Sequence, residues 1–158
     1  MTTEIDEATI ERLVHTFYAR VREDAWLGPV FEARVDDWDR HLTRMCAFWS
    51  SVTLGTGRYQ GQPMRMHLPL PVDGRHFDRW LALFEATARE VCSPEGAAVF
   101  LERAHRIAAS LELGMASASG VFLRKGERLE ARENEPREIR PRNSENEPRN
   151  SLWVWSQA

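Results

Sequence analysis

Lysine is all but missing from this chain: of 21 basic side chains, Lys125 alone is not arginine, which reads as a coding bias rather than selection for guanidinium chemistry. Cysteine is scarce as well. Cys46 and Cys92 stand far apart, without the short spacing of metal ligands, which argues against a disulfide scaffold or a zinc knuckle and leaves two reduced thiols. No apolar run approaches the ~18 to 20 residues needed to cross a bilayer. The opening MTTEIDEATIERL is acidic and amphipathic and lacks the apolar core of an export signal, so the cytoplasm is the expected compartment. Strong charge of one sign is absent too: residues 1–117 carry 13 Lys+Arg against 17 Asp+Glu, and residues 118–158 carry 8 against 7. Neither part has the basic footprint of a nucleic-acid binder. No segment alternates with period two over a useful length, which removes strands and leaves an all-α fold.

What is present is helical periodicity. Ile10, Leu13, Val14, Phe17, Tyr18 and Val21 share one face of a first helix, which Gly28-Pro29 is expected to end. Asp36-Asp37 offers N-cap chemistry for a second helix, on which His41, Met45, Phe48 and Trp49 share a face. Residues 55–71 hold three glycines and three prolines and admit only a short helical turn around His67. Asp73, with Val72 and Phe77 at the spacing of a hydrophobic staple, opens a third long helix whose inward residues are Trp80, Leu81, Phe84, Ala88 and Val91. Ser93-Pro94-Glu95 opens a fourth, with Phe100 or Leu101, then Ala104, Ile107, Ala108 and Leu111 inward. After Gly114 the periodicity collapses. ENEPRE (133–138) returns almost unchanged as ENEPRN (145–150), so one domain over residues 1–117 is expected, followed by a low-complexity, mostly disordered tail over residues 118–158. The tail ends in Leu152-Trp153-Val154-Trp155, either a docking motif or an unselected extension.

Five histidines need sorting. His15 lies on a polar helix face, His105 flanks an apolar stripe, and His76 sits at a helix start; each reads as an ordinary polar group. His41 and His67 differ because their neighbours are apolar, and a buried imidazole requires a bonding partner. Pattern alone favours reading them as satisfied core histidines. Tyr18 and Trp80, however, also bring a hydroxyl and an indole N–H into apolar stripes that carry no carboxylate. A divalent-metal cage would need carboxylates or clustered His and Cys. A large, flat, apolar cofactor with one metal to ligate and one polar ligand to hold fits this inventory better.

Six blocks carry a family resemblance: FYARVRED (17–24), LGPVF (27–31), WDRHLTRMCAFW (38–49), LGTGRYQGQP (54–63), HLPL (67–70) and FDRWLALF (77–84). In residues and in spacing, roughly residues 5–115 resemble the group III truncated haemoglobins. The glycine-pair signatures of the other truncated groups are missing, and the tail has no counterpart.

The resemblance implies a two-over-two helical sandwich around haem b (iron protoporphyrin IX). It implies His67 as the proximal iron ligand, with Tyr18, His41 and Trp80 facing the bound gas on the distal side. Phe31 would pack on the ring, and Met45, Phe48, Trp49, Met64 and Phe84 would complete the cofactor-binding set. Arg44, Arg65 and Arg75 are candidates for the haem carboxylates. The function implied is binding of O2, NO or CO, with O2 held tightly by the Tyr18 and Trp80 donors. Two alternatives stay open: a haem enzyme of NO dioxygenase or peroxidase type served by a separate reductase, and a haem-free helical module that binds protein.

Overall fold

The computed structural model describes residues 5–67 and 70–130, without the side chains of Arg65 and Met66. Among the described residues there are six helices and no strand: α1 (Glu7–Glu23), α2 (Leu27–Glu32), α3 (Trp38–Leu54), α4 (Pro63–His67), α5 (Gly74–Val91) and α6 (Pro94–Ala118). α1 packs on α3 and α5 packs on α6, while α1 also crosses α5 and α3 meets α6. Two helix pairs therefore stack as two layers, the two-over-two arrangement expected. The repeats at 133–150 and the Leu152–Trp155 motif lie outside the described residues.

Local chemistry sets the helix ends. Asp6, Asp37, Asp73 and Ser93 occupy N-cap positions, each accepting a hydrogen bond from an amide of the first turn, and Gly55 closes α3 in the left-handed region at φ 66°. All six residues expected inward on α1 are buried, and so are His41, Met45, Phe48 and Trp49 on α3. On α6 the ambiguous pair resolves to Phe100, fully buried where Leu101 is only partly so. Each large apolar side chain taken from water contributes about 1.5 to 3 kcal/mol, and the rings interlock. Trp80 stacks on Phe84 at 5.2 Å, Phe84 stacks on Trp49 at 4.9 Å, and Phe17 meets both Trp80 and Phe84 edge-on.

Two expectations need correction. Gly28-Pro29 does not end the first helix; α1 stops at Glu23, and the glycine and proline fall in the first turn of α2. The cause is Asp24, whose Oδ1 accepts from the amides of Trp26 (2.9 Å) and Leu27 (3.0 Å) and so starts a new turn, where proline is tolerated. Nor does Gly114 stop α6, which continues to Ala118. That glycine serves a close approach: a Cβ there would lie 2.2 Å from the Met64 sulfur of α4.

Asp24 also joins α2 to α5 by accepting from Arg79 at 2.6 Å. Burial works to raise its pKa, but the bonds from Leu27, Arg79 and Trp26 outweigh that and hold it below the ordinary carboxylate value. Asp24→Ala is expected to cost about 1 to 3 kcal/mol, since two amides lose their acceptor and Arg79 its partner. Urea unfolding checks this; a change within about 0.5 kcal/mol, the range of an ordinary surface substitution, would show that α2 does not depend on the cap.

Candidate functional site

A cleft of about 640 Å³, part of it open to solvent, lies between α2, the segment after α4, and the facing sides of α5 and α6. Its walls are apolar apart from a few side chains. Three of the residues singled out from sequence line it: Phe31, His67 and Trp80.

His67 ends the five-residue α4 and is 3% exposed. Its Nδ1 lies 2.6 Å from the carbonyl oxygen of Pro63. A carbonyl only accepts, so Nδ1 carries the proton and the lone pair is on Nε2, a buried atom of a cavity-lining residue. Burial, working against the Pro63 bond, holds the pKa of this imidazole down to about 4, so it is neutral near pH 7. Trp80 reaches the cavity from α5, and its indole nitrogen is buried with no hydrogen-bond partner among the described residues. The Tyr18 hydroxyl is in the same condition. Burial raises the Tyr18 pKa well above its ordinary value, so the phenol stays protonated and can only donate or accept as a neutral group. A buried polar atom without a partner costs about 1 to 3 kcal/mol and requires an explanation.

Tyr18 and His41 sit beside the cavity rather than on it. Their rings meet edge-on at 4.9 Å, Trp38 closes on His41 at 5.3 Å, and Phe31 joins this group to the cavity, 5.8 Å from Tyr18 and 6.3 Å from His41. Burial lowers the His41 pKa to about 3. Met45, Phe48, Trp49 and Phe84 belong to the core behind Trp80 and are not among the cavity residues, and Met64 packs α4 onto α6. An apolar stripe reports burial, and burial in a core looks the same in sequence as burial against a cofactor.

The structure adds wall residues that sequence reasoning missed. Leu27, Val30 and Val35 come from α2 and the turn after it, and Leu70 and Val72 from the irregular crossing. Their segments are too short to show periodicity. Arg34 and His76 also line the cavity. His76 does so while its Nδ1 accepts from the Asp73 amide at 3.2 Å, one half of a capping box. Of the arginines expected near cofactor carboxylates, Arg75 bonds Asp73 at 2.9 Å and lies over Trp26; the side chain of Arg65 is outside the described residues. Among the described residues no three His, Cys, Asp or Glu side chains cluster to hold a bare ion, and no helix is long and apolar enough to cross a membrane.

Two stacked helix pairs around an apolar cleft, with one tautomer-fixed imidazole on a short turn, define a shortened globin. A family model described as bacterial-like globin matches residues 6–112. The group 3 truncated haemoglobin ctb of Campylobacter jejuni is 36% identical over 113 residues, spanning 68% of this chain and 89% of that protein. The crystal structure of a group III truncated haemoglobin from the same organism matches with a TM-score of 0.65 at 36% identity, over 70% of this chain and 91% of that one. The chain belongs to the bacterial-like globins, as a group III truncated haemoglobin. Membership of the globin family implies a haem cofactor.

The residues present fit such a group: an apolar cleft, an imidazole with its lone pair on a buried Nε2, and donors that lack acceptors among the described residues. Without the cofactor, the two depressed imidazoles set a pH dependence. The unfolded chain takes up protons below pH 6.5 that folded His41 and His67 refuse until about 3 and about 4. Stability of the haem-free protein should therefore fall as pH drops from 6.5 towards 4, by up to about 1.4 kcal/mol per pH unit for each imidazole. His41→Leu should flatten that slope in urea unfolding across this range; a slope as steep as that of the parent would show that His41 titrates freely.

Proposed function

We propose that the cleft holds haem b with His67 as proximal iron ligand, and that the protein binds O2 and the related gases NO and CO. One observation carries this: a single cavity joins an imidazole whose tautomer directs its lone pair to Nε2 with an indole N–H that has no acceptor among the described residues. Haem iron held by His67 would supply the chemistry for binding a diatomic gas. The Pro63 carbonyl would orient His67 and raise its basicity, the usual role of a hydrogen bond to the far nitrogen of a ligating histidine.

The remaining roles follow from placement. Trp80 would donate its N–H and Tyr18 its O–H to the ligand, with neutral His41 held against Tyr18. Phe31 would pack on the macrocycle, since it touches both the cavity and the Tyr18–His41 group. Met45, Phe48, Trp49 and Phe84 would stiffen the wall behind Trp80, and Met64 would seat the His67 turn on α6. Dioxygen draws electron density and accepts hydrogen bonds; CO draws less. Bonds to a charged acceptor are worth about 1.5 to 3 kcal/mol, and about 1.4 kcal/mol is tenfold. Two donors therefore favour slow release of O2, which suits a scavenger or a reaction chamber. Conversion of NO and O2 to nitrate at the same site would draw electrons from a separate reductase, and nitrate formed over many turnovers and lost in Tyr18→Phe would mark that activity.

Hemin added to the purified protein should give a Soret band, and His67→Gly should abolish uptake unless an exogenous imidazole is supplied. Absence of the band in the parent rejects the reading. Trp80→Phe should speed O2 dissociation by about tenfold or more; unchanged stopped-flow traces would show that the indole does not reach the ligand.

A further inference from the structure

Beyond the family-matched residues, the chain returns to the helical body at Arg128 and Leu129. The Arg128 guanidinium donates to Glu112 of α6 at 2.8 Å, to Asp78 of α5 at 2.7 Å, and to the Gly74 carbonyl at 2.9 Å. The backbone of Leu129 adds two bonds: its amide donates to Glu112 at 2.9 Å and its carbonyl accepts from the Gly74 amide at 2.8 Å. Gly74 is the first residue of α5, and its N–H is one of those a helix cannot satisfy internally. The Glu112 side chain is 10% exposed, and a buried carboxylate requires partners. The returning segment supplies both needs at once.

The segment also has an apolar seat. Leu129 packs on a cluster that includes Phe77, Ala108 and Leu111, against which Leu70 and Val72 also pack, and all five of those residues line the cavity. The amide of Leu70 in turn bonds the His67 carbonyl at 3.0 Å. Arg128 and Leu129 therefore tie α5 to α6 across the seam that the wall nearest His67 spans.

We propose that residues 128–129 form a strap that positions this wall and, in the loaded protein, retards loss of the cofactor. Arg128 is a positioning residue: it acts through Gly74, Asp78 and Glu112 and not by touching the cofactor. Retention of cofactor rests on the haem reading above; closure of the seam does not.

The test uses full-length chains. Arg128→Ala should transfer hemin to excess apomyoglobin about tenfold faster than the parent, equivalent to about 1.4 kcal/mol on the barrier. It should also speed hydrogen exchange of the Gly74 and Leu129 amides in the haem-free protein. Gly74→Ala should act in the same way, because its Cβ would sit 3.0 Å from the Glu112 carboxylate and 3.1 Å from the Arg128 guanidinium. Arg20→Ala is the control: it breaks contacts with Thr87 and Glu90 at the far end of α5 and should leave hemin transfer unchanged. Transfer no faster than in the parent, equal acceleration by Arg20→Ala, or unaltered exchange at the two amides overturns the strap. If the parent takes up no hemin, the haem reading fails, and the exchange result decides the strap by itself.

Discussion

The hydrogen bond from His67 Nδ1 to the Pro63 carbonyl is the constraint on which the site depends. It spans one turn of a five-residue helix, and so short a helix has no stability of its own. α4 exists because other parts of the fold hold it: Met64 against α6, made possible by the missing side chain at Gly114, and the Leu70 amide on the His67 carbonyl. In return the turn fixes the ring and its tautomer without using a carboxylate. A charged partner would have made the imidazole a stronger base and pulled water towards the cleft; a carbonyl leaves the surroundings apolar.

That apolar enclosure governs every polar atom nearby. Burial alone depresses His41 and, against the Pro63 bond, His67, while it keeps Tyr18 protonated, so a neutral acceptor and neutral donors persist over the physiological range. The same enclosure makes the Tyr18 hydroxyl and the Trp80 indole N–H destabilising until something accepts from them. A fold selected for stability alone would place phenylalanine at both positions. Retaining the polar versions against that cost is the pattern expected where a site departs from packing rules for the sake of a ligand.

How far this could be read from sequence depended on element length. The long stripes of α1, α3, α5 and α6 were legible because burial repeats over several turns, and the Asp37, Asp73 and Ser93 caps were legible because their chemistry is local. His67 stood out only through its apolar neighbours and the family blocks, since one turn carries no period. α2 was hidden because Gly28-Pro29 carries the same letters at a helix start as at a helix stop, and the Asp24 bonds that decide between them are invisible in a string. More than half of the cavity wall comes from segments of a few residues, and Arg128 was hidden by its composition: among so many arginines and glutamates, nothing in sequence distinguishes the one that folds back.

The electrostatics of α5 explain why Trp80 can be aimed at all. Phe77 and Trp80, three residues apart, share the face that lines the cleft. Asp78 and Arg79 lie between them in sequence and project elsewhere, Asp78 to Arg128 on the α6 side and Arg79 to Asp24 at the head of α2. Opposed ties from adjacent residues resist rotation of the helix in either direction, much as two guy lines hold a mast. Surface ion pairs taken singly contribute little; here each tie ends on a network in which one carboxylate, Asp24 or Glu112, is largely buried and also accepts from backbone amides. The indole N–H lies on a long side chain, farther from the axis than the backbone, so a small roll of α5 displaces it more than any backbone atom of the helix. Charge placed outside the cleft thus sets a hydrogen-bond donor inside it without bringing a charge into its apolar wall.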